Sequence, residues 1–438
     1  MNFRFAHMAD VHLGAFRDPK LRELNYAAFE QAIEMCIESN VDFILISGDL
    51  FDSNIPDTKI AERAAGLLKR LKDLGVRVYV IYGSHDYSPT KASMLDIFHS
   101  AGLVENLSKE ERRIKLIEDR RTGVKLAGIG GRKTGTEMEL LRSLEWDEVE
   151  AEEGFKIFLF HTAVEELLPK DYRHLESIPL TSLPKGFSYY AGGHVHTIST
   201  LRKGDAYFAY PGPLFGYDYR DLEAIAKGER RGFFLVSVED GKLTPRFIEL
   251  NLPQVVYVEL DANGKSANEV ALRLEQELEL RDVRDKIVLI RVFGELRSGK
   301  PQEINFNKLR ERLLERGAIV AYINRNMLTG REIELKVEVK GESKEDIEKA
   351  VLERFVKEYR SLSPRYSGEE GVKLALKLLD ILRRENVGLS KNEYESSIVT
   401  EALHLLLEEG KALETEKSSI IENAKVVRRG QVSLFDFG

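Results

Sequence analysis

Short apolar runs alternate with longer amphipathic stretches through the first 250 or so positions of this 438-residue chain. The runs at 2–6, 41–47, 76–82, 155–160 and 187–191 are rich in Val, Ile, Phe and Tyr and read as buried β-strands. Between them, 21–39 and 58–74 place apolar residues at helical spacing; Asp57-Thr58 offers a start signal and Gly75 a stop. This alternation predicts an α/β sheet whose working loops lie beyond the strand C-termini. Tyr210-Pro211-Gly212-Pro213 marks a turn. The runs 233–238 and 243–250 then read as a hairpin across Glu239-Asp240-Gly241-Lys242 that closes a first domain.

Leu252-Pro253 marks the boundary, giving a first domain at 1–252. Strand patterns at 255–260, 286–292 and 319–323 alternate with helical patterns at 267–280 and 306–316, so 253–343 reads as a small α+β domain. A helical segment at 344–412 follows, with amphipathic stretches at 344–360, 369–384 and 391–409. Ser361-Leu362-Ser363-Pro364 breaks the first of these from the second. The tail, 413–438, is charged and poor in apolar residues and is expected to order only when bound.

Composition sharpens this outline. An apolar share of 43 % is that of a soluble globular protein. No apolar run approaches the roughly 18 residues a membrane span needs. The opening Asn2-Phe3-Arg4-Phe5-Ala6 has no signal-peptide pattern, so a cytoplasmic location is expected. The lone Cys36 excludes an internal disulfide framework and a cysteine zinc site, and its helical context reads as a buried small hydrophobe. High charge (32 %) with few Gln suggests a thermophile. A net charge of −8 argues against generic electrostatic nucleic-acid binding. DNA stays open as a substrate, because bound metals and local basic clusters supply positive field. The clusters are Arg112, Arg113, Lys115, Arg120, Arg121 and Lys125, then Arg132-Lys133, then Arg230-Arg231; each is either a DNA contact or a solvated face.

Chemistry concentrates where the apolar runs end. Asp10-Val11-His12, Gly48-Asp49-Leu50-Phe51-Asp52, Gly83-Ser84-His85-Asp86, His161 and Gly193-His194-Val195-His196 hold five of the nine histidines. Asp and His at the ends of rigid strands are suited to holding two divalent ions over a phosphate ester. Asp49, after the run 43–46 and the permissive Gly48, is the candidate bridging carboxylate. Asp52 and Asp86 read as groups that orient a ligand or a catalytic histidine. His7, His99, His174 and His404 lack this context.

The order D-x-H, G-D-x-x-D, G-x-H-D, H, G-H-x-H resembles the calcineurin-like metallophosphoesterases, a β-sandwich fold flanked by helices. His7-Met8-Ala9-Asp10-Val11-His12-Leu13-Gly14 and Ile46-Ser47-Gly48-Asp49-Leu50-Phe51-Asp52-Ser53 are similar to the nuclease subunit of SbcCD-type double-strand-break repair complexes, as is Tyr210-Pro211-Gly212. The resemblance covers about residues 1–250 closely and 251–345 by pattern. It implies one metal on Asp10, His12, Asp49 and His196, and a second on Asp49, His161, His194 and the residue at 84. It also implies His85 as the acid that protonates the leaving 3′ oxygen, oriented by Asp86. Most members have Asn where this chain has Ser84, whose shorter hydroxyl predicts weaker binding of the second metal.

The same resemblance implies a Mn(II)-dependent DNA nuclease with 3′→5′ exonuclease and single-strand endonuclease action. It further implies a capping domain after the phosphoesterase domain, a homodimer, and C-terminal helices docked on the coiled coil of an ABC-type ATPase. The stripe Val372, Leu374, Ala375, Leu378, Leu379 and Leu382 suits that docking, or packs within the chain itself. At the end, Gln431, Leu434, Phe435 and Phe437 resemble the peptide that binds the PCNA sliding clamp. Two other readings compete: a phosphodiesterase for small nucleotide esters, and a clamp-tethered scaffold with a metal site weakened at Ser84.

Overall fold

The computed structural model describes residues 2–88, 93–109, 114–132, 137–330, 344–358, 368–384 and 391–407. Its contacts divide the chain into two compact units, Met1–Arg331 and Glu332–Gly438. Arg112, Arg113, Lys133 and the tail residues Gln431, Leu434, Phe435 and Phe437 lie outside the described residues.

The first unit opens with β1 (Phe3–Met8), α1 (Pro19–Glu38), β2 (Phe43–Ile46), α2 (Thr58–Asp73), β3 (Arg77–Val80), α3 (Met94–Ser100) and β4 (Glu105–Asn106). It continues through β5 (Ile117–Glu118), β6 (Lys125–Gly128), α4 (Glu137–Ser143), α5 (Asp147–Ala151) and β7 (Lys156–His161). Next come the short pair β8 (Ala163–Val164) and β9 (Ser177–Ile178), then β10 (Tyr189–Gly193), β11 (Ser199–Lys203), β12 (Ala206–Tyr210) and α6 (Tyr219–Ala226). The hairpin β13 (Gly232–Glu239) and β14 (Lys242–Glu249) leads into β15 (Val255–Asp261), α7 (Ala267–Glu279), β16 (Ile287–Leu296), α8 (Phe306–Glu315) and β17 (Val320–Gly330). The helix starts follow their caps: Asp57 accepts from Lys59 N–H, and Ser266 with Glu269 forms a capping box.

Two six-stranded sheets, ordered β14-β13-β1-β2-β3-β4 and β11-β12-β10-β7-β6-β5, stack face to face. Side-chain alternation decides which face each residue serves. Phe3, Phe5, Phe43, Leu45 and Tyr79 meet Ile157, Leu159 and Tyr189 between the sheets. Ala6, Met8, Ile44, Ile46, Val78 and Val80 point the other way, onto α1 and α2 through Phe29, Ile33 and Leu68. Phe158, Phe160, Tyr190 and Phe208 form a third layer on the outside of the second sheet. Because β1, β2, β3, β7 and β10 are covered on both faces, they appear as continuous apolar runs rather than alternating ones. Asp240 and Gly241 both have positive φ, as a two-residue turn of the mirror-image type requires between Glu239 and Lys242.

The strands β15, β16 and β17 pair in parallel, each crossover being a helix. Val288, Ile290 and Val292 face α7 and α8, whereas Ile287 and Leu289 join the core beside α1 and α2.

In the second unit, α9 (Lys344–Glu358), α10 (Gly368–Leu382) and α11 (Lys391–Leu407) follow, with α10 packed on both others. Val372 of the apolar stripe is buried, whereas Leu382 is 62 % exposed. No helix among the described residues is long and apolar enough to cross a membrane.

The basic clusters resolve unevenly. Arg121 pairs with Asp42 and Lys125 with Glu152. Arg231 is neither a DNA contact nor a solvated face: it is buried and bonded to the His196 and Asp221 carbonyls.

Candidate metal centre

Loops after β1, β2, β3, β7 and β10 converge at one end of the sandwich. Asp10, His12, Asp49, His161, His194 and His196 meet there, although they are drawn from residues up to 186 positions apart. Asp10, His12 and His196 bring ligand atoms within 4.8 Å of one another, as do Asp10, Asp49 and His161. The Nε2 atoms of His12 and His196 face each other at 3.3 Å. The His161 and His194 rings lie 5.3 Å apart.

The backbone is strained where these ligands sit. Among the described residues, eight non-glycine positions have positive φ, and four of them are Asp10, His12, Asp49 and His194. Such conformations persist only where the surroundings over-determine them, and they cluster at functional sites. Close backbone approach is also needed. A Cβ on Gly48 would stand 2.3 Å from His161 Nδ1, and one on Gly83 would stand 2.1 Å from Asp49 Oδ1.

Hydrogen bonds fix which ring atoms remain available. His161 Nδ1–H donates to the Ser47 carbonyl at 2.8 Å, leaving Nε2. His196 Nδ1–H donates to the Asp221 carboxylate at 3.0 Å, leaving its own Nε2. The His194 N–H donates to Asp10 Oδ1, and the His85 N–H to Asp49 Oδ1. Asp10 Oδ2 is buried with no hydrogen-bond partner, and the buried His161 Nε2 points at Asp49 Oδ2, 3.2 Å away. A buried carboxylate oxygen left without a partner calls for an ion, and this carboxylate and imidazole set fits divalent transition metals.

The electrostatics are those of a crowded charge cluster. Burial opposes the charge on Asp49, but His161, His12 and His85 outweigh it and hold the carboxyl well below its usual range. Burial likewise opposes protonation of His161 and His196. Asp49 and Asp10 nevertheless lift His161 to about 10, and Asp221 lifts His196 to about 9. Burial and the neighbouring His161 charge push His194 down to about 4.

Ser84 sits at the rim, its hydroxyl 3.4 Å from Asp49 Oδ2. His85 is not oriented by Asp86. Its Nδ1 bonds the Asp52 backbone carbonyl at 2.9 Å and lies 3.5 Å from the Asp52 carboxylate. Asp86 instead accepts from the N–H groups of Leu50, Phe51 and Gly83, tying the second and third ligand loops together. Burial and the charge of Asp49 raise Asp86 to about 7.

Several functional neighbours escaped sequence reasoning. Tyr217 stacks on His12 at 4.7 Å between ring centroids and meets His196 and His85 edge-on. Asp221 and Arg231 brace His196. His7 is buried between the sheets, bonded to the Tyr189 and Ser47 hydroxyls, directly behind the Ser47 carbonyl that holds His161.

Comparison with known proteins agrees with this geometry. The model of the calcineurin-like phosphoesterases matches residues 3–197. A DNA double-strand break repair protein Mre11 from Methanopyrus kandleri is 29 % identical over 403 residues, 87 % of this chain and 83 % of that one. Its namesake from Archaeoglobus fulgidus is 28 % identical over 279 residues, 59 % of this chain and 61 % of that protein. A dimetal phosphatase from Danio rerio overlays with a TM-score of 0.40 at 11 % identity, covering 56 % of this chain and 96 % of that one, an overlap too loose for residue correspondences. The Mre11 protein of Methanocaldococcus jannaschii is 30 % identical over 326 residues, 72 % of this chain and 82 % of that one. With that reach across its relatives, the chain belongs to the calcineurin-like phosphoesterases and groups there with the archaeal Mre11 proteins.

Proposed function

We propose that the chain is a dimetal, Mn(II)-dependent phosphodiesterase that cleaves DNA during double-strand-break repair. The observation that carries this reading is the buried Asp10 Oδ2, an acceptor with no hydrogen-bond partner, in the midst of five further candidate Asp and His ligands. Asp10, His12, Asp49 and His196 would hold one ion. Asp49, His161 and His194 would hold the other, with Ser84 beside it. Two ions held there would supply water activation and charge neutralisation for phosphodiester hydrolysis.

The chain's own residues do the rest. Asp49 ties the two ligand groups together and is itself fixed by the His85 N–H at 2.8 Å. His85, half-exposed at the rim and held at Nδ1 by Asp52, presents its other nitrogen as proton donor to the leaving 3′ oxygen. Tyr217 packs over His12 and restrains the rim histidines.

The relatives' shared name, DNA double-strand break repair protein Mre11, supports DNA as substrate. On this reading 1–252 is the nuclease domain, 253–343 the capping domain, 344–412 the segment that docks an ABC-type coiled-coil ATPase, and 413–438 a tail for a PCNA-type clamp. The expected activities are 3′→5′ exonuclease on duplex ends and endonuclease on single strands, from a homodimer in the cytoplasm.

The test is Mn(II)-dependent degradation of end-labelled single- and double-stranded DNA by wild type, His85→Ala and Asp49→Ala. Cleavage by wild type that both variants lose supports the reading. Hydrolysis of bis-p-nitrophenyl phosphate with DNA left intact would sink it in favour of a small-ester enzyme. Deleting 431–438 should abolish clamp pull-down and spare cleavage.

A further inference from the structure

Helix α6 lies between a metal-site histidine and the parallel sheet β15-β16-β17, and its two faces carry different cargo. Successive helix residues turn by about 100°, so Tyr219 and Glu223 share one side and Asp221 lies roughly opposite. Asp221 accepts from His196 Nδ1–H at 3.0 Å. It also takes the Tyr217 N–H on Oδ2, and buried Arg231 donates to its backbone carbonyl and to the His196 carbonyl. His196 is therefore oriented by a carboxylate whose place is set by the helix.

On the other side, Glu223 is buried and accepts from Tyr257 O–H at 3.1 Å, with Arg291 at 3.5 Å and Lys227 at 2.6 Å. Tyr219 packs its ring on Tyr322, centroids 5.3 Å apart. Tyr257, Leu289 and Tyr322 form one row across the three strands, so the contact is with a single rigid face of that sheet. Burying an acid against that face is costly unless its partners stay in place, which ties the helix position to the docking of the sheet.

We propose that Asp221 is a positioning residue for His196, and that α6 transmits the seating of the β15-β16-β17 domain to this histidine. A shift of the small domain would move Glu223 and Tyr219, carry Asp221 with them and rotate the imidazole. This inference rests on the reading of His196 as a metal ligand.

The experiment measures Mn(II) affinity by calorimetry and the visible absorption of the Co(II)-loaded protein, on the full chain. Variants are Asp221→Asn, Glu223→Gln, Arg291→Met and the double Asp221→Asn/Glu223→Gln, each checked for an unaltered fold by circular dichroism. Asp221→Asn should weaken Mn(II) by about ten- to a hundredfold. Glu223→Gln and Arg291→Met, remote from the pocket, should weaken it roughly two- to tenfold and shift the Co(II) bands in the same sense. The double variant should lose less than the product of the singles, because both act through one ring. A wild type binding two ions, with Glu223→Gln and Arg291→Met matching it in affinity and spectrum, overturns the transmission. An Asp221→Asn variant that also matches overturns the positioning role. A folded wild type that binds no Mn(II) overturns the metal reading itself, and this inference with it.

Discussion

Adding one methyl group at Gly83 tests whether Asp49 is held as tightly as its surroundings indicate. A Cβ there would lie 2.1 Å from Asp49 Oδ1, 2.2 Å from its backbone N and 2.5 Å from Cγ. A carbon–oxygen contact settles near about 3.3 Å, so Asp49 would have to retreat by about 1.2 Å. No rotamer change clears the backbone nitrogen, and Oδ1 is already engaged by the His85 N–H at 2.8 Å. Asp49 also occupies the left-handed region, with φ at 53°, where little further backbone freedom remains. The displaced group is Asp49, the carboxylate proposed to bridge the two ions.

Misplacement on the scale of 1 Å costs on the order of a hundredfold in turnover, and forced overpacking costs about 1–3 kcal/mol of stability. Gly83→Ala should therefore lose roughly a hundredfold or more in hydrolysis of bis-p-nitrophenyl phosphate. It should also bind Mn(II) at least about tenfold more weakly and melt a few degrees lower. Gly66→Ala is the matched control, because the same methyl in the middle of α2 meets nothing within 4 Å. That variant should gain about 0.5–1 kcal/mol and keep its turnover. Native turnover and native Mn(II) affinity in Gly83→Ala would refute the reasoning, since the loop would then be yielding where it is described as fixed.

Other expectations follow from the same geometry. In the metal-free chain His161 and His196 titrate at about 10 and about 9, so both carry protons at pH 7.5 and must release them to ligate. Calorimetry in buffers of different ionisation heat should find up to two protons released per chain, with affinity rising toward about a hundredfold per pH unit up to about pH 8.5; no release would refute this. Because their folded values exceed the unfolded value near 6.5, these two groups stabilise the metal-free protein most at or below that pH. The contribution is lost as pH climbs through about 9 and 10, which thermal melts across that window read directly. Ser84→Asn should tighten the second Mn(II), since a longer amide oxygen replaces a hydroxyl now 3.4 Å from Asp49; an unchanged titration would contradict it. Asp86→Asn should lower the melting temperature by the loss of about 1–3 kcal/mol, because an amide NH2 replaces one of the two oxygens that accept from the loop N–H groups, whereas His85→Ala should abolish turnover with little change in the melt.

How much of this was legible in the chain depends on the range of the interaction involved. The strands before each candidate ligand and the cap at Asp57 are local events, and apolar runs and capping residues report them directly. The gathering of the candidate ligands at one end of the sandwich could be anticipated because Asp and His fall immediately after such runs. Asp86 and Asp52 show where that logic stops. Both are acids next to ligand motifs, and only the folded loops decide that one bonds amides while the other reaches His85. Asp221 and Arg231 follow His196 by 25 and 35 residues, on a helix and a strand start with no local signature of their task. His7 could have been found. Alternation in β1 puts it on the face of Phe3 and Phe5, and an imidazole between two sheets needs partners, here Ser47 and Tyr189.

The division of labour within the first unit follows from where strain and rigidity are placed. Left-handed backbone at Asp10, His12, Asp49 and His194 is unfavourable by roughly 1 kcal/mol or more at each position, and the buried Asp10 Oδ2, an acceptor with no hydrogen-bond partner, adds to that load. Neither is tolerable on a loose scaffold. The strands that end at these residues are accordingly covered on both faces, with the inter-sheet aromatic layer behind them and, in front, α1 and α2 over β1 and β2 and the layer of Phe158, Phe160, Tyr190 and Phe208 over β10. Side chains that finish the site are held more lightly. Ser84 rests on one long hydrogen bond, His85 leans on the Asp52 loop, and His196 takes its orientation from a helix seated against another sheet. Rigid strands fix where charge is gathered, and the adjustable groups around the rim are where sequence change or domain movement can tune it.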